Sequence, residues 1–298
     1  MAGPPAQMRP KPYRFGPSPT RTALMLAPAL LVLGGLFLGG MGTAAVRSLG
    51  HMPVIGLIGP DLEAYRAVLA SPVFLRALAF TLWIAVASTV ISAVIAVGVA
   101  LLLRQTFRGR AAIGFLVQVN LTVPHLVGAI GILYLFSQSG SFARLGHAAG
   151  LIARPAEFPA LVFDPAGIGI ILQYVWKEVP FIALILLARL RTNGAGLEET
   201  ARTLGASRWQ AFRHVTLPAL SPALAGAMAI VFAFAFGAYE VPLLLGPSAP
   251  VTLPVLAWRS YTDVDLGARP EAMAMAVVIA AVSGAAIWAA RRGLRGLR

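Results

Sequence analysis

Six apolar stretches recur along the 298 residues: Thr22–Val46, Ala77–Leu103, Ala111–Phe136, Ala166–Ala188, Ala219–Gly246 and Glu271–Ala290. Each holds about 20 residues or more, enough for a helix to cross roughly 30 Å of hydrocarbon. Inside a bilayer every backbone N–H and C=O must find its partner within the protein, and a helix pairs them within its own segment. Composition agrees. Only 12% of residues are charged and 58% are hydrophobic, where soluble domains carry about 25% charged residues. The expected fold is therefore an all-α polytopic membrane protein of about six transmembrane helices over residues 22–298. A disordered basic tail with Arg9, Lys11, Arg14 and Arg21 is expected over residues 1–21. The run from Thr22 is too long for the apolar core of a cleavable signal and lacks a cleavage pattern, so it is expected to stay in the protein.

The formal net charge of +13 is spread as a topology signal. Arginines flank the apolar stretches, and no helix face interleaves basic and aromatic residues, which argues against nucleic acid as a partner. Of the 24 Lys and Arg, four lie in the tail, three between the second and third spans, five from Arg189 to Arg213, and four after Ala290. The alternate loops hold three, two and two, and Lys177 lies within a span. Loops rich in Lys and Arg stay in the cytoplasm. Both termini and the stretch 189–218 are expected there, in the cytoplasmic (inner) membrane of a bacterium or archaeon.

Polar groups interrupt three of the spans. Asn120, Pro124 and His125 predict a bend or break in the third. The fourth holds Gln173, Tyr174, Trp176, Lys177, Glu178 and Pro180, and the fifth ends with Tyr239, Glu240 and Pro242. Ionisable residues at membrane depth need partners inside the bundle. Lys177 and Glu178 are adjacent and point about 100° apart on a helix, so a Lys177–Glu240 pair between spans four and five is expected. Two readings of Gln173, Tyr174, Lys177, Glu178, Tyr239 and Glu240 stand together: they line a solute path, or they form a buried ion pair that fixes helix packing. Asn120 and His125 are expected to satisfy backbone groups freed by Pro124. Between the spans, a short surface helix is expected over 61–69, and 137–165 and 247–270 read as loops.

No catalytic constellation is present in the sequence. There is no cysteine, no HExxH and no GxSxG. A phosphate-binding P-loop needs a lysine beside its glycines, and neither Lys11 nor Lys177 stands in such a setting. The chain is expected to be no enzyme and to hold no cofactor of its own.

The longest polar interruption with helix punctuation is Leu197–Pro218, LEETARTLGASRWQAFRHVTLP. Glu198 and Glu199 suit the positive end of a helix dipole. Leu197, Ala201 and Leu204 share one apolar face, and Gly205 follows as a left-handed helix terminator. Ser207 and Gln210 have capping-box spacing for a second helix, with Trp209, Phe212 and Val215 on its apolar side. Pro218 is expected to close this unit and start the next span.

Glu199-Thr200-Ala201, Gly205 six residues after the glutamate, and Leu217-Pro218 resemble the EAA motif of type I ABC-importer permeases. Thr200 departs from the motif's alanine but is likewise small. Gly237–Gly246, GAYEVPLLLG, resembles the spermidine/putrescine, iron and sulfate grouping of those permeases. The resemblance implies a permease subunit whose coupling loop, 189–218, docks on a separate cytoplasmic ATPase dimer that binds ATP and Mg. Glu199 would set the loop's local electrostatics, Gly205 the turn, and Arg202, Arg208 and Phe212 the docking contacts. It also implies a second permease subunit, identical or paralogous, and an extracytoplasmic solute-binding protein. The rival reading is a gradient-driven secondary transporter using Lys177, Glu178 and Glu240 as an ion relay. Such carriers show inverted repeats, and the span pattern shows none.

Overall fold

The computed structural model describes residues 18–193 and 195–295. The chain divides into two units, residues 1–44 and 45–298. Of the expected tail, residues 1–17 lie outside the described residues. Pro19, Thr20 and Arg21 belong to the first helix, α1 (Pro19–Ser48). The 30 residues of α1 run about 45 Å at 1.5 Å each.

The second unit opens with α2 (Glu63–Ala70), the short helix expected over 61–69. It packs on the helix Arg269–Arg295 through buried Ala64 and Val68. Then comes α3 (Pro72–Arg104). Its start follows from local chemistry: Ser71 accepts a hydrogen bond from the Phe74 N–H, and Pro72 supplies a preset φ at the first position. The third crossing is broken in two, α4 (Arg110–Thr122) and α5 (His125–Phe136), with extended residues Val123 and Pro124 between them. The segment His125–Ala148 is also long and apolar enough to span. It turns at 137–140, however, and it is α4 with α5 that runs antiparallel along α7.

The expected loop 137–165 contains a helix, α6 (Ser141–Ala148). Its eight residues sit among glycines and small side chains, too short a stretch for its period to stand out. Next comes α7 (Ile168–Asn193), with 56% of its apolar stretch buried, more than any other spanning segment, which makes it the central post. Facing it, α3 presents Ala77, Thr81, Ala85, Ser88, Ser92, Ala96 and Ala100, all buried, at helical spacing. Small residues let helix backbones approach closely where lipid offers no hydrophobic drive. The Thr81 and Ser88 hydroxyls return to carbonyls of their own helix, while the buried Thr89 and Ser92 hydroxyls take no partner among the described residues.

Beyond α7 stand α8 (Ala195–Thr203) and α9 (Arg208–Ala211). A π-helical turn, Phe212–Thr216, joins α9 to α10 (Leu217–Gly237). Pro218 stands in the first turn of α10, so it starts the next span as expected, but it does not end a separate helix before it. In an α-helix its ring would meet the carbonyl four residues back; here the wider turn, with Leu217 N–H bonded to Phe212 O, carries the chain through. The fifth span also ends earlier than expected. Ala238 is extended, and Tyr239, Glu240 and Pro242 belong to or cap a separate short helix, α11 (Glu240–Leu245). Pro242 lacks an N–H, and in a continuous helix its ring would meet the carbonyl of Ala238, four residues back, so α10 cannot run on through it. The expected loop 247–270 holds α12 (Leu253–Tyr261), tied to α3 by Leu253 N–H donating to Thr81 Oγ1 at 2.7 Å. Last is α13 (Arg269–Arg295), against α10 and α12.

The core has two parts. One, with Phe74, Ile84, Ile170, Tyr174, Phe236 and Leu253, lies toward the end that carries α12; the other, with Ala96, Ile182, Leu186, Leu220 and Val231, lies toward the end that carries α8.

Candidate coupling segment and buried polar cluster

At the end of the bundle where α3 and α7 finish and α10 begins, α8 closes in a tight reversal. Gly205 N–H donates to Arg202 O at 3.1 Å and Ala206 N–H to Ala201 O at 3.0 Å, the paired bonds of a Schellman turn. Gly205 has φ +93°, which a residue with a Cβ adopts only at a cost. The expected capping box forms: Gln210 N–H donates to Ser207 Oγ at 3.2 Å, and Ser207 N–H to Gln210 Oε1 at 2.8 Å.

The apolar residues of this segment are not buried by the rest of the chain. Leu197, Leu204 and Trp209 are exposed, Leu204 at 84%, while Phe212 is half-buried against the Trp209 ring at 5.5 Å. Arg202, Arg208 and Arg213 are exposed around them. Of the motif residues, Glu199 and Thr200 face out, Ala201 is partly covered, Leu217 is half-buried and Pro218 is exposed.

The electrostatic anchor is Glu198, not Glu199. Arg104 Nη1 donates to Glu198 Oε2 at 2.6 Å, and Thr216 Oγ1 donates to the same oxygen at 2.9 Å. The Arg104 hydrogen bond holds the Glu198 carboxyl below the usual carboxylate range. Partial burial opposes that shift, and the Thr216 hydrogen bond and the nearby Arg104 and Arg202 charges add to it. Sequence reasoning missed this pairing because Arg104 lies 94 residues away.

The second cluster forms around the break in the third crossing. Two prolines create it. Pro180, inside α7, offers no N–H to the Trp176 carbonyl, and Asn120 Nδ2 donates to that carbonyl at 2.6 Å. Pro124 likewise offers none to Asn120 O. There Lys177 Nζ donates to Asn120 O at 2.8 Å and to Val123 O at 2.7 Å. Gln173 Nε2 donates to His125 O at 3.0 Å, and His125 Nε2 meets Glu178 Oε1 at 3.3 Å. A Cβ on Gly128 would lie 2.6 Å from both Gln173 Nε2 and Trp176 Cζ3, so α5 reaches α7 only through a glycine.

The expected Lys177–Glu240 pair is therefore absent. Lys177 is spent on backbone carbonyls, and Glu240 is exposed in the first turn of α11 with no ion pair among the described residues. Of the six residues read as a solute path or buried pair, the fold gathers Gln173, Lys177 and Glu178 into one network. Tyr174 is wholly buried beside it; Tyr239 lies against the Trp258 ring, and Glu240 starts α11, which packs on α5 and α7, without a hydrogen bond to the network among the described residues. The prolines half-announced the rest: Asn120 does satisfy a carbonyl freed by a proline, but the proline is in α7.

Five apolar crossings packed within residues 45–298, one of them broken and pinned inside, with a capped, outward-facing helix turn at one end and the apolar helix α1 ahead of them in sequence, define a polytopic α-helical membrane protein. The sequence profile of the family described as the binding-protein-dependent transport system inner membrane component matches residues 92–292, and the chain belongs to that family. It is 28% identical over 279 residues to the inner membrane ABC transporter permease protein YcjO of Escherichia coli (strain K12), covering 90% of this chain and 92% of YcjO. It is 29% identical over 240 residues to the molybdenum transport system permease protein ModB of Mycobacterium tuberculosis (strain ATCC 25618 / H37Rv), covering 78% and 87%. Among solved structures, a bacterial ABC transporter involved in import of the acidic polysaccharide alginate matches with a TM-score of 0.73. That match spans 92% of this chain and 96% of that one at 20% identity. The same transporter has also been solved with an alginate pentasaccharide-bound periplasmic protein. The chain is a multi-pass inner membrane permease subunit of an ATP-driven importer, and the gradient-driven reading is set aside.

Proposed function

We propose that residues 195–218 lie in the cytoplasm and dock on a separate ABC ATPase, so that nucleotide binding there drives the bundle between inward- and outward-open states. The observation that carries this reading is the segment's surface. Leu204 and Trp209 stand exposed beside Arg202 and Arg208, on a turn whose backbone is fully capped. A rigid apolar patch ringed by charge suits a protein partner. The distribution of Lys and Arg places the same end inside the cell. The chain itself does no chemistry. ATP and Mg are bound by the partner, two permease subunits of this kind, identical or paralogous, enclose the path, and an extracytoplasmic binding protein delivers the solute at the opposite end. The periplasmic protein held by the alginate transporter supports that last role.

The buried network of Asn120, Gln173, Lys177 and Glu178 is read as a packing lock. Its groups are nine-tenths or more buried; Asn120, Gln173 and Lys177 bond to backbone carbonyls and Glu178 to the His125 ring. The chain has no cysteine, so single replacements report cleanly. Leu204→Cys and Leu151→Cys, both at highly exposed positions at opposite ends, should be modified by an impermeant maleimide from opposite sides of sealed vesicles. Leu204→Cys should react from the cytoplasmic side and be shielded when the ATPase is present. Reaction of both from one side, or of Leu204→Cys from outside, would sink the reading.

A further inference from the structure

Three elements that are distant in sequence meet at a single carboxylate oxygen. Arg104 is the last residue of α3, Glu198 lies in α8, and Thr216 ends the π-helical turn that feeds α10; both donors reach Glu198 Oε2. The contact is sheltered, with Glu198 and Arg104 side chains 18% and 25% exposed and Thr216 buried. A sheltered carboxylate hydrogen-bonded to guanidinium resists separation more than a surface pair does. Without it, α8 would connect forward to α10 only through the glycine turn and the short α9, a natural swivel. Glu199, one residue on, faces out and takes no part.

We propose that Arg104, Glu198 and Thr216 form the joint that makes α8 move as one body with the ends of α3 and α10, with Glu198 as its positioning residue. This rests on the reading that residues 195–218 face an ATPase, and it goes beyond that reading. The docking surface receives a push, and the joint decides which helices feel it. The π-helical turn beside Thr216 is the point at which α10 yields, since such turns are local irregularities that shift register more readily than a regular helix.

The test uses the whole transporter purified with its ATPase in lipid nanodiscs, with ATP, Mg and vanadate as probes. Ile230→Cys, at an exposed site within α10, reports the bundle by its maleimide reaction rate. Leu204→Cys reports docking by cross-linking to the ATPase. With the joint intact, vanadate trapping should change the rate at the Ile230→Cys site by roughly fivefold, an ordinary allosteric coupling. Glu198→Gln should bring that ratio close to one while ATP hydrolysis and the cross-link persist, and Arg104→Glu with Glu198→Arg should regain most of the response. Thr216→Val, which removes one hydrogen bond, should give a partial loss even if the charge variants assemble poorly. A full response in Glu198→Gln, or a double exchange no better than either single one, overturns the joint alone. If the intact protein's Leu204→Cys form gives no ATPase cross-link, the docking reading falls and the joint with it.

Discussion

Lys177 shows how one residue's role turns on its surroundings. An ammonium at membrane depth is costly unless it is fully partnered, and its two partners are the carbonyls of Asn120 and Val123 at the helix break. It acts as a tethered cation where the backbone has exposed its negative ends, so it is already occupied and is not poised to relay ions. Lys177→Met keeps most of the volume, takes from the Val123 carbonyl its only donor among the described residues and leaves Asn120 O with the Val123 N–H alone. It should lower stability by about 1–3 kcal/mol, the usual cost of stranding a buried polar group. Glu240→Gln, at an exposed position, should stay within about 0.5 kcal/mol. Thermal unfolding of both variants in the same detergent checks this, and equal effects would restore the Lys177–Glu240 pair as a contender. Glu198 and Glu199 make the complementary point. They are adjacent and chemically identical, yet one is anchored to Arg104 and the other is open to a partner.

At the scale of elements, the turn between α8 and α9 is where sequence and structure agree most closely. The glycine, the capping box and the run of apolar residues are local signals, and the Schellman bonds and the Ser207–Gln210 pair realise them. The space around Gly205 sharpens its test. A Cβ there would meet nothing within 4 Å, so any effect of substitution comes from φ +93° and not from crowding. Gly205→Val should cost about 1–2 kcal/mol of turn stability and weaken the coupling of ATP hydrolysis to bundle motion. Gly205→Asn, which tolerates the left-handed region, should lose much less. Vanadate-dependent maleimide reactivity at the Ile230→Cys site, read in both backgrounds, decides it; equal behaviour of the two would mean the turn's handedness does not matter. Helices α6 and α12 were not legible, because eight or nine residues flanked by glycine and proline give too little period to read. The early stop of α10 and the π-helical route through Pro218 depend on how prolines are accommodated, and sequence names the proline without naming the accommodation.

For the whole molecule, the contrast is between a bundle that stands by its own packing and the exposed apolar turn proposed to dock on an ATPase. The bundle's post is α7 against the small-residue stripe of α3, and none of the exposed groups at the α8 end contributes to it. Reversing Arg202 and Arg208 together, Arg202→Glu with Arg208→Glu, should therefore abolish co-elution of the ATPase from a detergent extract. The same variant's melting midpoint should fall only slightly, because both side chains are exposed and reversing a charge at an exposed helix end, as at Arg202 in the last turn of α8, costs about 0.3–1 kcal/mol. Undiminished co-elution would show that the ATPase grips some other loop.

Read alone, the sequence determined what neighbours along the chain decide: six apolar crossings, the broken third one, the capped turn before the fifth, and the side toward which the arginines lean. These signals are carried by residues within a few positions of one another, through apolar run length, helical period and end caps. Only the tertiary structure decided partnership. It chose Arg104 for Glu198 across 94 residues, and the Asn120 carbonyl for Lys177 across 57. A charge in a packed bundle binds whatever unsatisfied group the folded helices bring within reach, and that proximity is written in no local stretch of the chain.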